Sequence, residues 1–326
     1  MNAKSFPHAA GAIVLALAGV YNSALAQPYP SRPIRIVVPF PPGGTSDILA
    51  RTIGQKLAEE WGQQVLTDNR PGAAGNIASE NVARSKPDGY TLYINTVGTH
   101  AINPAIYAKL TFDPIKDFTA VTNLVNLPSV LLVHPSVPVK NLKELIALAK
   151  RRPGELQYSS PGSGAQPHLT AEMFKTMTGV DFLHVPYKGA APQMIGLLSG
   201  EVALTFATAP SGVPYVKSGQ LRALGVTSKN RIPALPDVPT IAQGGVPGYE
   251  AVGWNGLMAP AALPTPILDK IHDTVAKIVG LPDVRDRLIG LGAEPAISTP
   301  AEFAALIKAE LVKWAKVVKD SGAKLD

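Results

Sequence analysis

Apolar and polar positions along this chain alternate with two periods. Ile34 to Phe40 is a β-branched run bounded by prolines and reads as a strand, while Ile48 to Trp61, beyond a Pro-Gly loop, carries apolar residues at helical spacing. A short strand near Val65, a helix from Ile77 to Ala83, a turn at Pro87-Asp88-Gly89 and a strand from Tyr90 to Asn95 follow. Strands and helices of these lengths in alternation predict α/β units around a largely parallel sheet.

The rhythm then starts again. Strands are expected at Ser129 to His134, Leu156 to Ser159, Phe182 to Val185, Val202 to Phe206 and Arg222 to Thr227, with helices at Asn141 to Lys150, His168 to Thr178 and Ala191 to Leu198. A Pro/Gly-rich passage from Pro233 to Gly248 leads into an apolar segment, Tyr249 to Met258, and the chain closes with helices near Ile267 to Val279, Val284 to Leu291 and Glu302 to Asp320. This helical tail has no sheet of its own, and the simplest packing returns it to the first block. The expected division is therefore a first lobe of residues 27–125 and 250–326 and a second lobe of residues 126–249. Two connections, near Val121 to Ser129 and Tyr249 to Ala259, would form a hinge around a cleft.

The first residues change the picture of where the chain works. Lys4, an apolar stretch from Ala9 to Val20 and the small-residue pattern Ala24-Leu25-Ala26 predict a cleavable secretory leader over residues 1–26, and so a periplasmic protein. About 300 residues remain, more than one compact core usually organises. The formal charge of +6 falls to +5 with the loss of Lys4, a modest and dispersed excess. Lys150-Arg151-Arg152 is the tight basic cluster and reads as a solvated helix end, so no nucleic-acid partner is expected. The chain has no cysteine, which removes disulfides, thiolate metal sites and a cysteine nucleophile together.

Candidate chemistry concentrates in two glycine-containing loops. Pro39-Phe40-Pro41-Pro42-Gly43-Gly44-Thr45-Ser46-Asp47 joins the first strand to the first helix, where open α/β sheets place ligands. Its glycines let backbone approach a ligand, and the helix start offers unpaired N–H groups to a carboxylate. Capping by Thr45 or Ser46 serves the same loop equally well. The glycine spacing fits neither a P-loop nor a dinucleotide site. Asp47 either supports the loop or meets a hydroxyl or ammonium of the ligand. Ser159-Ser160-Pro161-Gly162-Ser163-Gly164-Ala165 is the equivalent loop of the second block. It lacks the Gly-x-Ser-x-Gly of a nucleophile elbow, because Pro161 stands where the first glycine belongs. A secreted serine hydrolase using Ser163 with His168 is thus the weaker alternative, and an enzyme is not expected.

The six histidines are scattered, with His100, His134, His168 and His184 on different elements, so neither metal nor other cofactor is expected. Lys188 reads as a solvated lysine; Tyr187 and Phe40 are candidate apolar walls, although core packing explains either aromatic.

Long ordered segments resemble the Bug family, the periplasmic receptors of tripartite tricarboxylate transporters. They include Tyr29-Pro30-Ser31-Arg32-Pro33-Ile34, Val38 to Asp47, Asn69-Arg70-Pro71-Gly72-Ala73-Ala74-Gly75, Asp88 to Leu92, His184-Val185-Pro186-Tyr187-Lys188-Gly189, Leu221 to Leu224 and Pro236-Asp237-Val238-Pro239-Thr240. The resemblance implies a type II periplasmic-binding-protein fold that closes like a flytrap on a small carboxylate: a di- or tricarboxylate, an aromatic acid or, less in keeping with this chain, an amino acid. It implies a monomer that docks on membrane permease subunits, with a signalling receptor as a further alternative. By the same carry-over Phe40, Gly43, Gly44 and Asp47, then Thr96, Gly98, Thr99 and His100, then Ser159, Ser163, Gly164 and Ala165 should line the cleft, with Tyr187, Ala207 and Thr208 beside them. Ala207-Thr208 departs from the family, where many members resemble Met-Phe-Asp at the end of this strand. The missing acid argues for a plain organic acid over an amino acid.

Overall fold

The computed structural model describes Met1 and residues 29–321; the expected cleavage site lies outside the described residues. Strand β1 (Ile34–Val38) has four of five residues buried and pairs in parallel with β2 (Val65–Asn69) and β3 (Thr91–Thr96). Its exception, Arg35, is held at the surface by Asp68 at 3.1 Å. Helix α1 (Thr45–Trp61) covers one face of this sheet, and α2 (Asn76–Ala83) with the single turn α3 (Asn103–Ile106) the other.

The later helices complete the two layers. Helices α8 (Thr265–Gly280) and α9 (Pro282–Gly290) place Ile271, Val275, Val284 and Leu288 in one core with Ile36, Leu49 and Leu92. Helix α10 (Pro300–Ser321) places Phe303, Ile307 and Trp314 in the opposite core with Val37 and Tyr93. The tail thus packs on both faces of the first sheet.

The second sheet contains β5 (Gln157–Ser160), β6 (Leu183–Pro186), β7 (Leu204–Thr208) and β8 (Arg222–Val226). Helices α4 (Leu142–Arg151) and α5 (Gln166–Thr178) lie over one face, α6 (Ala190–Leu198) and α7 (Ala209–Lys217) over the other.

The expectation of a largely parallel arrangement is corrected by two strands. Strand β4 (Phe118–Val133) runs 16 residues, roughly 50 Å at strand rise, and belongs to both sheets. It pairs antiparallel with β9 (Val252–Pro260) from Phe118 to Pro128, and with β7 from Ser129 to Val133. Strand β9 also pairs antiparallel with β3, and β10 (Glu294–Pro295) with β4. The physical reason is simple: one chain segment leaves the first sheet and another returns to it, so the two run in opposite directions, and as neighbours they satisfy each other's backbone groups.

Candidate ligand-binding site

Four helices begin at one cleft. The loop before α1 turns at Gly43, whose φ of +87° is left-handed and favours glycine, and Gly44 in extended conformation caps the helix. Asp47 lies almost fully buried behind this loop: its Oδ2 accepts from the Gly43 N–H at 3.0 Å and from Arg51 Nε at 3.0 Å. Burial pushes its carboxyl up, but Arg51, the Gly43 N–H and Asn69 outweigh this and hold it below the usual aspartate range. Asn69 Nδ2 donates to the Phe40 carbonyl at 3.0 Å, so the loop is fastened at both ends.

The loop before α5 uses left-handed glycines at Gly162 and Gly164. The Gly162 N–H donates to Ser160 Oγ at 3.2 Å, and Ser160 Oγ lies 2.7 Å from His184 Nε2. The Gly164 N–H donates to His168 Nδ1 at 3.1 Å, which fixes that nitrogen as an acceptor. The two imidazoles stack at 4.2 Å, with Tyr158 4.8 Å beyond His184, forming a column beneath the loop. Helix α6 starts after Gly189, packed on Pro41, and α7 starts after Thr208. Thr208 Oγ1 donates to Ser211 Oγ, so its bond of 3.0 Å with Thr45 Oγ1 is donated by Thr45. This contact joins the start of α1 directly to the second sheet.

The space between holds about 760 Å³, including the part open to bulk water. Of the residues expected to line it, Phe40, Gly44, Thr96, Gly98, Ala165 and Thr208 do so. Gly43 is exposed at the turn of the first loop with Asp47 buried behind it, and Ser163 and Gly164 lie in the second loop outside the lining. Thr99 braces Thr96, with two reciprocal bonds between backbone N–H and hydroxyl at 3.0 and 3.2 Å. His100 lies in the core beside Phe118 and Tyr93, and Ser159 is wholly buried in β5. Tyr187 packs over Gly196, with burial and then Glu201 raising its phenol; Ala207 is buried against α7.

Other residues line the cleft as well, several of them within the loops singled out in the sequence. Pro41, Thr45 and Ser46 come from the first loop, and Pro161, Gln166 and Pro167 from the second loop and its helix. Ala74 stands at a left-handed φ of 51°, unusual for alanine, in the Asn69 to Gly75 segment. Val97 and Ala190 extend the walls, and Leu127, Gly253, Trp254 and Asn255 come from the two strands that cross between the sheets. A glutamine in the otherwise apolar α6 was the available signal for Gln193, as Trp254-Asn255 within an apolar run was for β9. No charged side chain lines the cleft among the described residues.

Comparison with known proteins places this geometry in a family. A model described as tripartite tricarboxylate transporter family receptor matches residues 49–323. Protein BugT of Bordetella pertussis is 35% identical over 314 residues, 96% of each chain. Among solved structures, Rpa4515 of R. palustris with adipate superposes with a TM-score of 0.89 at 42% identity, covering 91% of this chain and all of that one. MatC of Rhodopseudomonas palustris with bound malate gives 0.83 at 33% identity, covering 89% of this chain and 100% of that one. Receptors of this kind are periplasmic and have the two-lobe binding-protein fold. The chain belongs to the tripartite tricarboxylate transporter receptor family.

Proposed function

We propose that this chain is a solute receptor that encloses a small organic carboxylate between two lobes and presents it to membrane permease subunits. The observation that carries this reading is the convergence of the starts of α1, α5, α6 and α7 on a cleft without charged side chains. Free N–H groups at a helix start and the associated partial positive charge suit a carboxylate. The carboxylates held by the two R. palustris relatives support the same class of ligand here. Ala207-Thr208, where the sequence carries no acid, leaves a ligand ammonium without a counter-ion in the lining.

The lobes divide at residues 27–125 with 250–326 and at residues 126–249. In support, β4 changes partners from β9 to β7 between Pro128 and Ser129. The protein acts as a monomer exported by cleavage after Ala26, and binding without turnover is its role. A thermal-shift screen of mature protein, refolded free of ligand, against dicarboxylates, tricarboxylates, aromatic acids and amino acids tests this. A ligand of the native state raises the melting temperature, by an amount that grows with concentration. A saturable shift from organic acids recovered unchanged is the expected result. Hydrolysis lost in Ser163→Ala, or no shift from any carboxylate, would overturn the reading.

A further inference from the structure

The cleft lining holds no charged side chain among the described residues, so a carboxylate inside it is met by backbone N–H groups and neutral side chains, whose attraction is short-ranged. Charge elsewhere is unevenly divided. Residues 126–249 carry eleven lysines and arginines against six aspartates and glutamates, whereas residues 27–125 and 250–326 together carry eighteen of each. The net charge of the expected mature chain thus lies in the second lobe, and one of its cations stands at the cleft. Lys188 lies between β6 and α6, and the backbone on either side of it is fastened to the second loop: the Tyr187 N–H donates to the Ser160 carbonyl at 2.9 Å and the Gly189 N–H to the Pro161 carbonyl at 3.0 Å. Pro161 lines the cleft, as does Ala190, and a Cβ at Gly189 would lie 3.2 Å from Pro41, a lining residue of the first loop. Lys188 is exposed and no carboxylate pairs with it among the described residues, whereas Lys175 of the same lobe is paired with Glu172 at 3.2 Å and Asp181 at 3.7 Å. It is an uncommitted cation on a fixed backbone at the rim of the cleft.

We propose that Lys188 steers anionic ligands into the cleft: it speeds their capture and does not touch them once they are bound. The inference rests on the carboxylate-receptor reading and deepens it by naming a residue that sets the rate of capture. A rim cation acts over about a Debye length, roughly 10 Å in 0.1 M salt, where the neutral dipoles of the lining are not yet felt. Lys188 is outside the lining, so a bound ligand keeps its contacts when the charge is removed, and the effect falls on association rather than on dissociation. The attraction scales with the charge of the ligand, so a dianion gains more than a monoanion.

Stopped-flow association of adipate with the mature protein, followed by tryptophan fluorescence, tests the proposal. In about 50 mM salt Lys188→Gln should slow association about twofold and Lys188→Glu about fourfold, with dissociation within about 20% of the natural protein's, and the differences should vanish in about 0.5 M salt. Lys150→Gln removes the same charge from the last turn of α4, which leads into the start of β5 and so lies at the opposite end of the strands from the cleft. It should leave both rates within about 20%. The natural protein alone supplies a check that needs no variant: its association rate with adipate should fall as salt rises, and less steeply with hexanoate. A rate independent of salt, or Lys188→Gln and Lys150→Gln acting alike, would overturn the steering role. So would a loss in Lys188→Gln confined to faster dissociation, which would make the lysine a contact of the bound ligand. Each of these results leaves a carboxylate receptor standing, whereas no binding of either acid, together with an empty thermal-shift screen, would remove both readings.

Discussion

His100 has no route to water. Its Nδ1 lies 3.0 Å from Thr99 Oγ1, whose own proton goes to the Thr96 carbonyl, so the ring donates from Nδ1 and leaves Nε2 without a partner in an aromatic surround. Burial pushes its pKa down to about 3 from 6.5. The unfolded chain therefore takes up this proton first as pH falls. The stability contributed by the neutral ring is complete above pH 6.5 and is lost between there and about pH 3, by about 1.4 kcal/mol per pH unit. Urea unfolding at about pH 7 and about pH 5 should show a steeper loss for the natural protein than for His100→Phe. Parallel slopes would mean that the ring takes up its proton in the folded state. Asp47 acts in the same direction at lower pH, because its carboxyl is held below the ordinary value.

At the scale of elements, β9 is closely matched to α10. A Cβ at Gly256 would collide with the Phe303 ring and approach Asn95 Oδ1 to 2.9 Å. Gly256→Ala should cost about 1–3 kcal/mol by overpacking, and Phe303→Leu in the same chain should recover part of it, read as a shift in the denaturation midpoint. The same strands show where sequence reading stops. Helices α1, α4 and α5 and strands β1 and β3 were legible because their apolar periods reflect one buried face. Val121 to Ser129 reads as a connection between blocks because Thr122, Asn123 and Asn126 interrupt its apolar pattern, yet in β4 Asn123 and Asn126 bond each other at 3.1 Å and Thr122 bonds Ser298. Helix α7 was missed because Pro210 and Pro214 argue against one. The two glycine loops were visible, since left-handed turns demand particular residues. Leu127 and Trp254 were not, because only the long-range pairing of β4 with β9 brings them to the cleft.

For the whole molecule, the bond from Thr45 to Thr208 links α1 to the second sheet at the cleft. Removing either hydroxyl should favour the open arrangement and weaken ligand binding by about 1 kcal/mol, about fivefold. Thr45→Val and Thr208→Val combined should cost little more than either alone, because both delete one bond; strictly additive losses in affinity would show that each threonine acts separately. The place of β9 between β3 and β4 has a further consequence. A chain made from its N-terminus has every strand of β1 to β8 before it has the one that fills the gap in the first sheet. No N-terminal piece ending before residue 252 can close that sheet, so the first sheet is completed only once β9 is made, through contacts distant in sequence and correspondingly slow to form.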